Sequence, residues 1–211
     1  MLHESLHRPA RVDELRAQWN EGRCLRIAPF LDDRFAEDLL AYLRAQPYTF
    51  KATAPSATAF QYQLWDFRAT PGAECDHPLC RFGRWLFDDG ARWLAELTGL
   101  ALGPPPDRLL TSTLLSKGCY LDAHNDRDGE RRLAYILGLT REPIPPEAGG
   151  HLEFLEVDQR GSRVRERRAP GWNSFDIFDV TGAYHIHRIS LMTRPAERRA
   201  VIGWLWPPSP R

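Results

Sequence analysis

The 211-residue chain reads as an α+β fold in which β structure dominates. Three observations carry that reading. Helical periodicity is confined to the first half. From Arg108 onward, eight short runs alternate apolar and polar residues. Gly, Pro and Asp punctuate those runs at a spacing of roughly ten residues. Short strands so spaced build a sandwich or a jelly-roll barrel, and helices that precede them pack outside one sheet. The expected organisation is a single domain over 1–211, with helical and mixed support to about residue 105 and a barrel core over about 106–206.

The elements follow in order. Val12 to Asn20 predicts a short helix that Asp13 can cap, and CLRIAPF at 24–30 alternates like a strand. In LDDRFAEDLLAYLRAQP, Phe35, Leu39, Leu40 and Leu43 share one helical face. Asp32 or Asp33 can cap that helix, and Pro47 stops it. Residues 52–64 predict a loop leading into the strand FQYQLWDF, and the loop is a candidate lid. Residues 79–98 place Phe82, Trp85, Leu86, Trp93, Leu94 and Leu97 at helical spacing, ended by Gly99. GPPP at 103–106 closes the half. The eight strand runs are RLLTSTLLS, CYLDAHND, RRLAYILGLT, GHLEFLEVD, SRVRERRA, SFDIFDV, YHIHRISLM and RRAVIGWLW.

Composition narrows the function. The 28 basic residues equal the 28 acidic ones, so a chain built to grip nucleic acid is not expected. No apolar run approaches the roughly 18 residues of a membrane span. The start, MLHESLHRPARVDEL, lacks the apolar stretch of a signal peptide, so a cytoplasmic location is expected. Cys24, Cys75, Cys80 and Cys119 are scattered. Cys75 and Cys80 lack CxxC spacing, although Asp76 and His77 between them suggest a metal alternative. Free thiols in a reducing compartment are the expectation.

One constellation carries chemistry. In a strand, residues i and i+2 point the same way, so His124 and Asp126 can present an imidazole and a carboxylate to one metal. A second imidazole from another strand, His185 or His187, completes a facial triad. Such a triad leaves positions open for a bidentate 2-oxo acid and for O2. An arginine pair follows at Arg198 and Arg199. An arginine fork is suited to holding a carboxylate in two places.

The flanking pattern sharpens this. GCYLDAHNDRDGERRLAYILGLT at 118–140, GGHLEF at 149–154, HRISLM at 187–192 and RRAVIGWLW at 198–206 together resemble the iron(II)- and 2-oxoglutarate-dependent dioxygenases. They are most similar to the prolyl-hydroxylase-like branch, which includes enzymes that hydroxylate a proline in a ribosomal protein. The resemblance covers about residues 108–206. It implies a double-stranded β-helix core, with His124, Asp126 and His187 as ligands of Fe(II) and Arg198 as the partner of the 2-oxoglutarate C5 carboxylate. It also implies O2 consumption, release of succinate and CO2, and ascorbate as a reductant. The implied substrate is an unactivated C–H of a prolyl residue in a protein or peptide, or of a small amino-acid-like molecule.

The HRIS order and the spacing to Arg198 favour His187 over His185. Register with the family pattern favours Arg198, since Arg199 would point to the opposite face. Two positions depart from the family. Leu115, nine residues before His124, and Gly138 stand where tyrosine hydroxyls usually serve the co-substrate. Tyr120, of the same strand parity as His124, is the expected substitute. Two other functions remain on the same fold: a cupin-like metal hydrolase or isomerase, and a non-catalytic sensor. Arg198 discriminates, because a plain metallohydrolase has no need of it. His151 is expected as a polar strand-end residue. Arg131 and Arg132 are expected to brace a strand, and Trp172, Trp204 and Trp206 to pack the barrel. The arginines of 160–168 are expected to form a solvated charged edge.

Overall fold

Proline at the first helical position and a left-handed cap bracket the opening helix of this computed structural model, which describes residues 1–53, 60–72, 74–159, 161–182 and 186–208. Helix α1 runs Pro9–Gly22 and ends where Arg23 turns left-handed at φ 55°. Pro9 presets the first helical φ, so the helix starts earlier than its apolar pattern indicates. Asp13 therefore lies inside it and pairs with Arg16 at 2.7 Å instead of capping. Helix α2, Asp33–Arg44, is capped by Asp32, whose carboxylate accepts the Phe35 N–H. Its buried face holds Phe35, Leu39, Leu40 and Leu43.

The single helix expected over 79–98 divides into α3, Pro78–Trp85, a π turn at Leu86–Gly90, and α4, Ala91–Thr98. Gly90 explains the wide turn. A Cβ there would lie 3.0 Å from the Trp85 ring and from the Trp85 carbonyl, so glycine lets the indole pack without displacement. Gly99, at φ 71°, ends α4.

Eleven strands form one curled antiparallel sheet among the described residues. They are β1 Cys24–Ile27, β2 Thr49–Ala52, β3 Tyr62–Ala69, β4 Leu110–Leu115, β5 Tyr120–Asn125, β6 Leu133–Leu139, β7 Leu152–Asp158, β8 Gly161–Arg168, β9 Trp172–Asp179, β10 Ile186–Ile189 and β11 Arg198–Leu205. The order is β1-β9-β6-β11-β4-β3-β5-β10-β7-β8, with β2 on β3. All eight runs of the second half form strands, and β2, just ahead of the 52–64 segment, is an additional strand. The short β3–β5 pairing, through Tyr62 and Gln63, is the fold line between a large layer and a small one. This is the jelly-roll arrangement.

The large layer has two buried faces. Leu133, Tyr135, Leu137, Phe175, Ile177, Val201 and Leu205 pack with the helices. Ala134, Ile136, Phe178 and Ala200 instead face the barrel interior, with Leu115, Phe154 and Ile189. Burial on both sides explains why β6, LAYILGL, is apolar almost throughout instead of alternating. Phe30 fastens the helices to the sheet, stacking on Phe175 at 4.0 Å and meeting Trp85 at 5.9 Å.

Strand β8 is an exposed edge carrying Arg163, Arg165 and Arg167. Arg168 turns inward and binds Asp176 at 2.8 Å; Arg160 lies outside the described residues. One cysteine expectation is corrected. Cys75 and Cys80 form a disulfide, while Cys24 and Cys119 remain free. The backbone entering α3 at Pro78 folds back, bringing the two Cα atoms to 5.9 Å, within bridging reach.

Candidate active site

Two adjacent strands of the small layer bring the metal-ligand candidates together. β5 and β10 pair antiparallel with His124 directly across from His187. Asp126 follows one residue after β5 ends. The three side chains offer donor atoms that all lie within 4.8 Å of one another. The carboxylate sits between the imidazoles: His124 Nε2 is 3.5 Å from one Asp126 oxygen, and His187 Nε2 is 3.5 Å from the other. His185 lies outside the described residues.

The surroundings fix these side chains. The Nδ1 of His124 sits 2.8 Å from the Asp122 carbonyl oxygen. With Nδ1–H donating there, Nε2 is left as the free lone pair that a metal requires. Phe60 stacks on the His124 ring at 4.4 Å, and Phe178 meets the His187 ring edge-on at 4.8 Å. Burial alone would raise the Asp126 carboxyl, but the two histidines and the nearby Trp204 N–H outweigh it and hold the pKa below the usual carboxylate range. The Trp204 N–H makes no formed hydrogen bond; it acts on Asp126 by proximity. One carboxylate and two imidazoles on one face are the donor set of a 2-His-1-carboxylate Fe(II) site.

The triad opens into a cavity of about 470 Å3. Leu64, Leu115, Leu121, Ile136, Ile189 and Ile202 make most of it apolar, and Arg198 lies within it. Arg198 is 5 % exposed, and no carboxylate among the described residues reaches ion-pair distance of it. Its Nε has no hydrogen-bond partner. Burial pushes the guanidinium pKa down to about 10, with Asp176 opposing and Arg26 reinforcing that fall. A buried cation without an anion is costly unless a ligand supplies one. The residues present therefore fit a metal at one end and a ligand carboxylate at the other.

Arg199 points the opposite way. It donates to the Leu43 carbonyl and to Glu197, and lies over the Tyr48 ring. The glycine pair also acquires a physical reason. A Cβ on Gly149 would lie 1.9 Å from the Leu191 carbonyl oxygen, and one on Gly150 would lie 3.5 Å from Arg198 Cδ. Gly149 lets the chain entering β7 lie against Leu191, while Gly150 is favoured by its left-handed φ of 76°.

Tyr120 needs a correction. Ile189 pairs with Leu121 while His187 pairs with His124, so β5 carries one extra residue between the two pairs. Such a bulge reverses the alternation. Leu121 faces the cavity with His124, and Tyr120 lies in a separate outer cleft with Asp122 and Arg188. Its hydroxyl is 3.5 Å from Gln61. Leu115 and Gly138 do face the interior, and a Cβ on Gly138 would lie 2.6 Å from the Ser174 hydroxyl oxygen.

His151 is buried beside β7, its backbone N–H donating to the Ser190 hydroxyl. Sequence reasoning missed Thr113, although it shares a strand face with Leu115, and it read Trp204 as packing alone. Trp204 lines the cavity and carries the Arg131 guanidinium on its ring at 3.7 Å. Of the candidate lid, residues 54–59 lie outside the described residues.

Comparison with known proteins agrees with this geometry. Residues 110–206 match the family model of the 2OG-Fe(II) oxygenase superfamily. A prolyl 3,4-dihydroxylase of Ostreococcus tauri is 28% identical over 134 residues, a match spanning 60% of this chain and about a quarter (26%) of that protein. A Pseudomonas putida prolyl-4-hydroxylase superposes with a TM-score of 0.67 at 18% identity, covering 94% of this chain and 100% of that one. A Trichoplax adhaerens prolyl hydroxylase, solved with a peptide of hypoxia inducible factor, gives 0.65 at 13% identity over 92% and 88% of the two chains. Residues 110–206, just under half of the chain, are thus similar to the 2OG-Fe(II) oxygenase superfamily, the fold is that of the solved prolyl hydroxylases, and the matched stretch includes His124, Asp126, His187 and Arg198.

Proposed function

We propose that the chain hydroxylates a prolyl residue presented by a peptide or protein segment, with Fe(II), O2 and 2-oxoglutarate. The observation that carries this reading is one cavity with a His-Asp-His cluster and a buried arginine that has no carboxylate at ion-pair distance among the described residues. The names of the similar proteins support the prolyl substrate.

His124, Asp126 and His187 would hold the iron. With O2 and 2-oxoglutarate bound, the metal supplies the oxidising power that inserts oxygen into a C–H bond, as 2-oxoglutarate is converted to succinate and CO2. The chain's own residues orient and exclude. Arg198 fixes the far end of the co-substrate, so its 2-oxo acid end is directed toward the triad. The Asp122 carbonyl keeps His124 in the ligating tautomer. The leucine and isoleucine walls leave little polar surface for water inside the cavity. Phe60, Asn125 and Asp128 are the exposed lining residues and mark the mouth, where a neutral pyrrolidine ring would enter beside an aromatic face.

The test is succinate release by iron-loaded protein offered proline-containing peptides, with mass spectrometry of the peptide. Peptide-stimulated succinate and a gain of one oxygen on proline are expected. Succinate stimulated by a small amino acid but by no peptide would overturn the substrate. No 2-oxoglutarate turnover by protein that holds iron would overturn the reaction. A hydrolase or isomerase on this barrel is disfavoured, since it leaves the buried Arg198 charge without a role.

A further inference from the structure

We propose that Thr113 donates the second hydrogen bond to the carboxylate that Arg198 captures, an inference that rests on the co-substrate reading above. Three strands meet around Arg198. Across from it on β4 stands Leu115, and two residues along β11, Ala200 is flanked by Thr113 on β4 and Gly138 on β6. Neighbours on the same face of paired strands lie within about 5–8 Å. Of Leu115, Thr113 and Gly138, only Thr113 has a polar side chain.

The state of that hydroxyl is the second observation. Thr113 is 2 % exposed, and its Oγ1 has no hydrogen-bond partner. It lines the same cavity as Arg198 and the triad. A buried hydroxyl without a partner is unfavourable. Here it coincides with a buried guanidinium whose Nε is also unpartnered. A carboxylate placed between them satisfies both: it accepts from Arg198 N–H groups and from the Thr113 O–H. No other ligand chemistry fits so directly, because both protein groups offer donors and the cation calls for an anion.

The Tyr135 hydroxyl is also buried and unpartnered in that cavity, but Tyr135 pairs with Gly203, five residues along β11 from Arg198; Ser174 is the nearer competing hydroxyl. It is also buried and unpartnered. It lies instead in a small recess beyond Arg198, among Gly138, Gly171 and Asp176. That recess holds about 10 Å3, too little for a carboxylate and roughly enough for one water.

The experiment is calorimetric titration of 2-oxoglutarate into Mn(II)-loaded protein, with Mn(II) affinity and melting temperature measured in parallel. Thr113→Val, similar in volume, should weaken 2-oxoglutarate binding about tenfold, the effect of one hydrogen bond to a charged group. Mn(II) affinity should not change. Thr113→Ser should bind within about twofold of the parent, given the same donor, which guards against a folding artefact. Ser174→Ala should bind like the parent. Parent-like affinity in Thr113→Val, or a loss in Ser174→Ala alone, overturns the assignment of Thr113 while leaving the co-substrate reading intact. Failure of the parent protein to bind 2-oxoglutarate overturns both.

Discussion

Replacing Arg198 with methionine should separate a ligand-binding arginine from a structural one, because the two roles predict opposite signs. The guanidinium is 5 % exposed, unpaired, and has its pKa lowered to about 10 by burial. Holding a guanidinium out of water with no carboxylate at ion-pair distance among the described residues costs the ligand-free protein several kcal/mol. Methionine keeps an unbranched apolar stem and removes the charge. Urea unfolding of the metal-free, ligand-free variant should therefore show stability equal to the parent or higher by about 1–3 kcal/mol, as when other buried charges are replaced by apolar groups. Titration of 2-oxoglutarate into the Mn(II)-loaded variant should show affinity reduced by about 100-fold or more, the loss of a charge-assisted, two-point contact. Mn(II) binding itself should persist, since the triad is untouched. A variant that loses more than about 1 kcal/mol of ligand-free stability yet binds 2-oxoglutarate like the parent would refute the reasoning, because Arg198 would then brace the barrel.

Two other substitutions test the remaining geometry. His187→Ala removes one donor of three and should cut Mn(II) affinity by more than about 100-fold. Retained affinity would move the second imidazole elsewhere in the chain. Gly138→Tyr would install a hydroxyl-bearing ring at an interior position, but its Cβ would lie 2.6 Å from the Ser174 hydroxyl and 2.8 Å from the Gly171 carbonyl. It should destabilise the fold by about 2–3 kcal/mol by overpacking, and parent-like stability with tighter 2-oxoglutarate binding would contradict the close approach.

Much of the fold was legible because its signals are local. Each of the eight strand runs in the second half is bounded by turn residues, and each forms a strand. Asp32 and Gly99 end their helices by side-chain and backbone geometry that the residue type itself dictates. What stayed hidden depends on distant partners. The π turn accompanies the packing of Trp85 against Gly90, and the partners of Arg199, whose direction was expected, are the Leu43 carbonyl of α2 and the Tyr48 ring. The Cys75–Cys80 bridge depends on how the chain turns into α3, which a spacing of five residues does not reveal.

The site divides along the same line. His124, Asp126, His187 and Arg198, which the structure brings to one cavity, could be picked out as candidates because ligand chemistry restricts residue type and the family pattern restricts order. Tyr120 was misplaced because strand parity was carried across Asp122 and Ala123, where β5 bulges. The bulge and the His-Asp-His cluster are one feature. Without it, His124 and Leu121 would face opposite ways; with it, the histidine and the apolar wall both face the cavity, and the tyrosine is turned out. Gly138 follows similar reasoning at the other end of the barrel. Ser174 and Gly171 approach it so closely that no side chain fits, so a hydroxyl for the co-substrate cannot come from that strand position. On β4, Leu115 offers no donor, which leaves Thr113 as the polar residue of that strand face beside Arg198 and the donor proposed above.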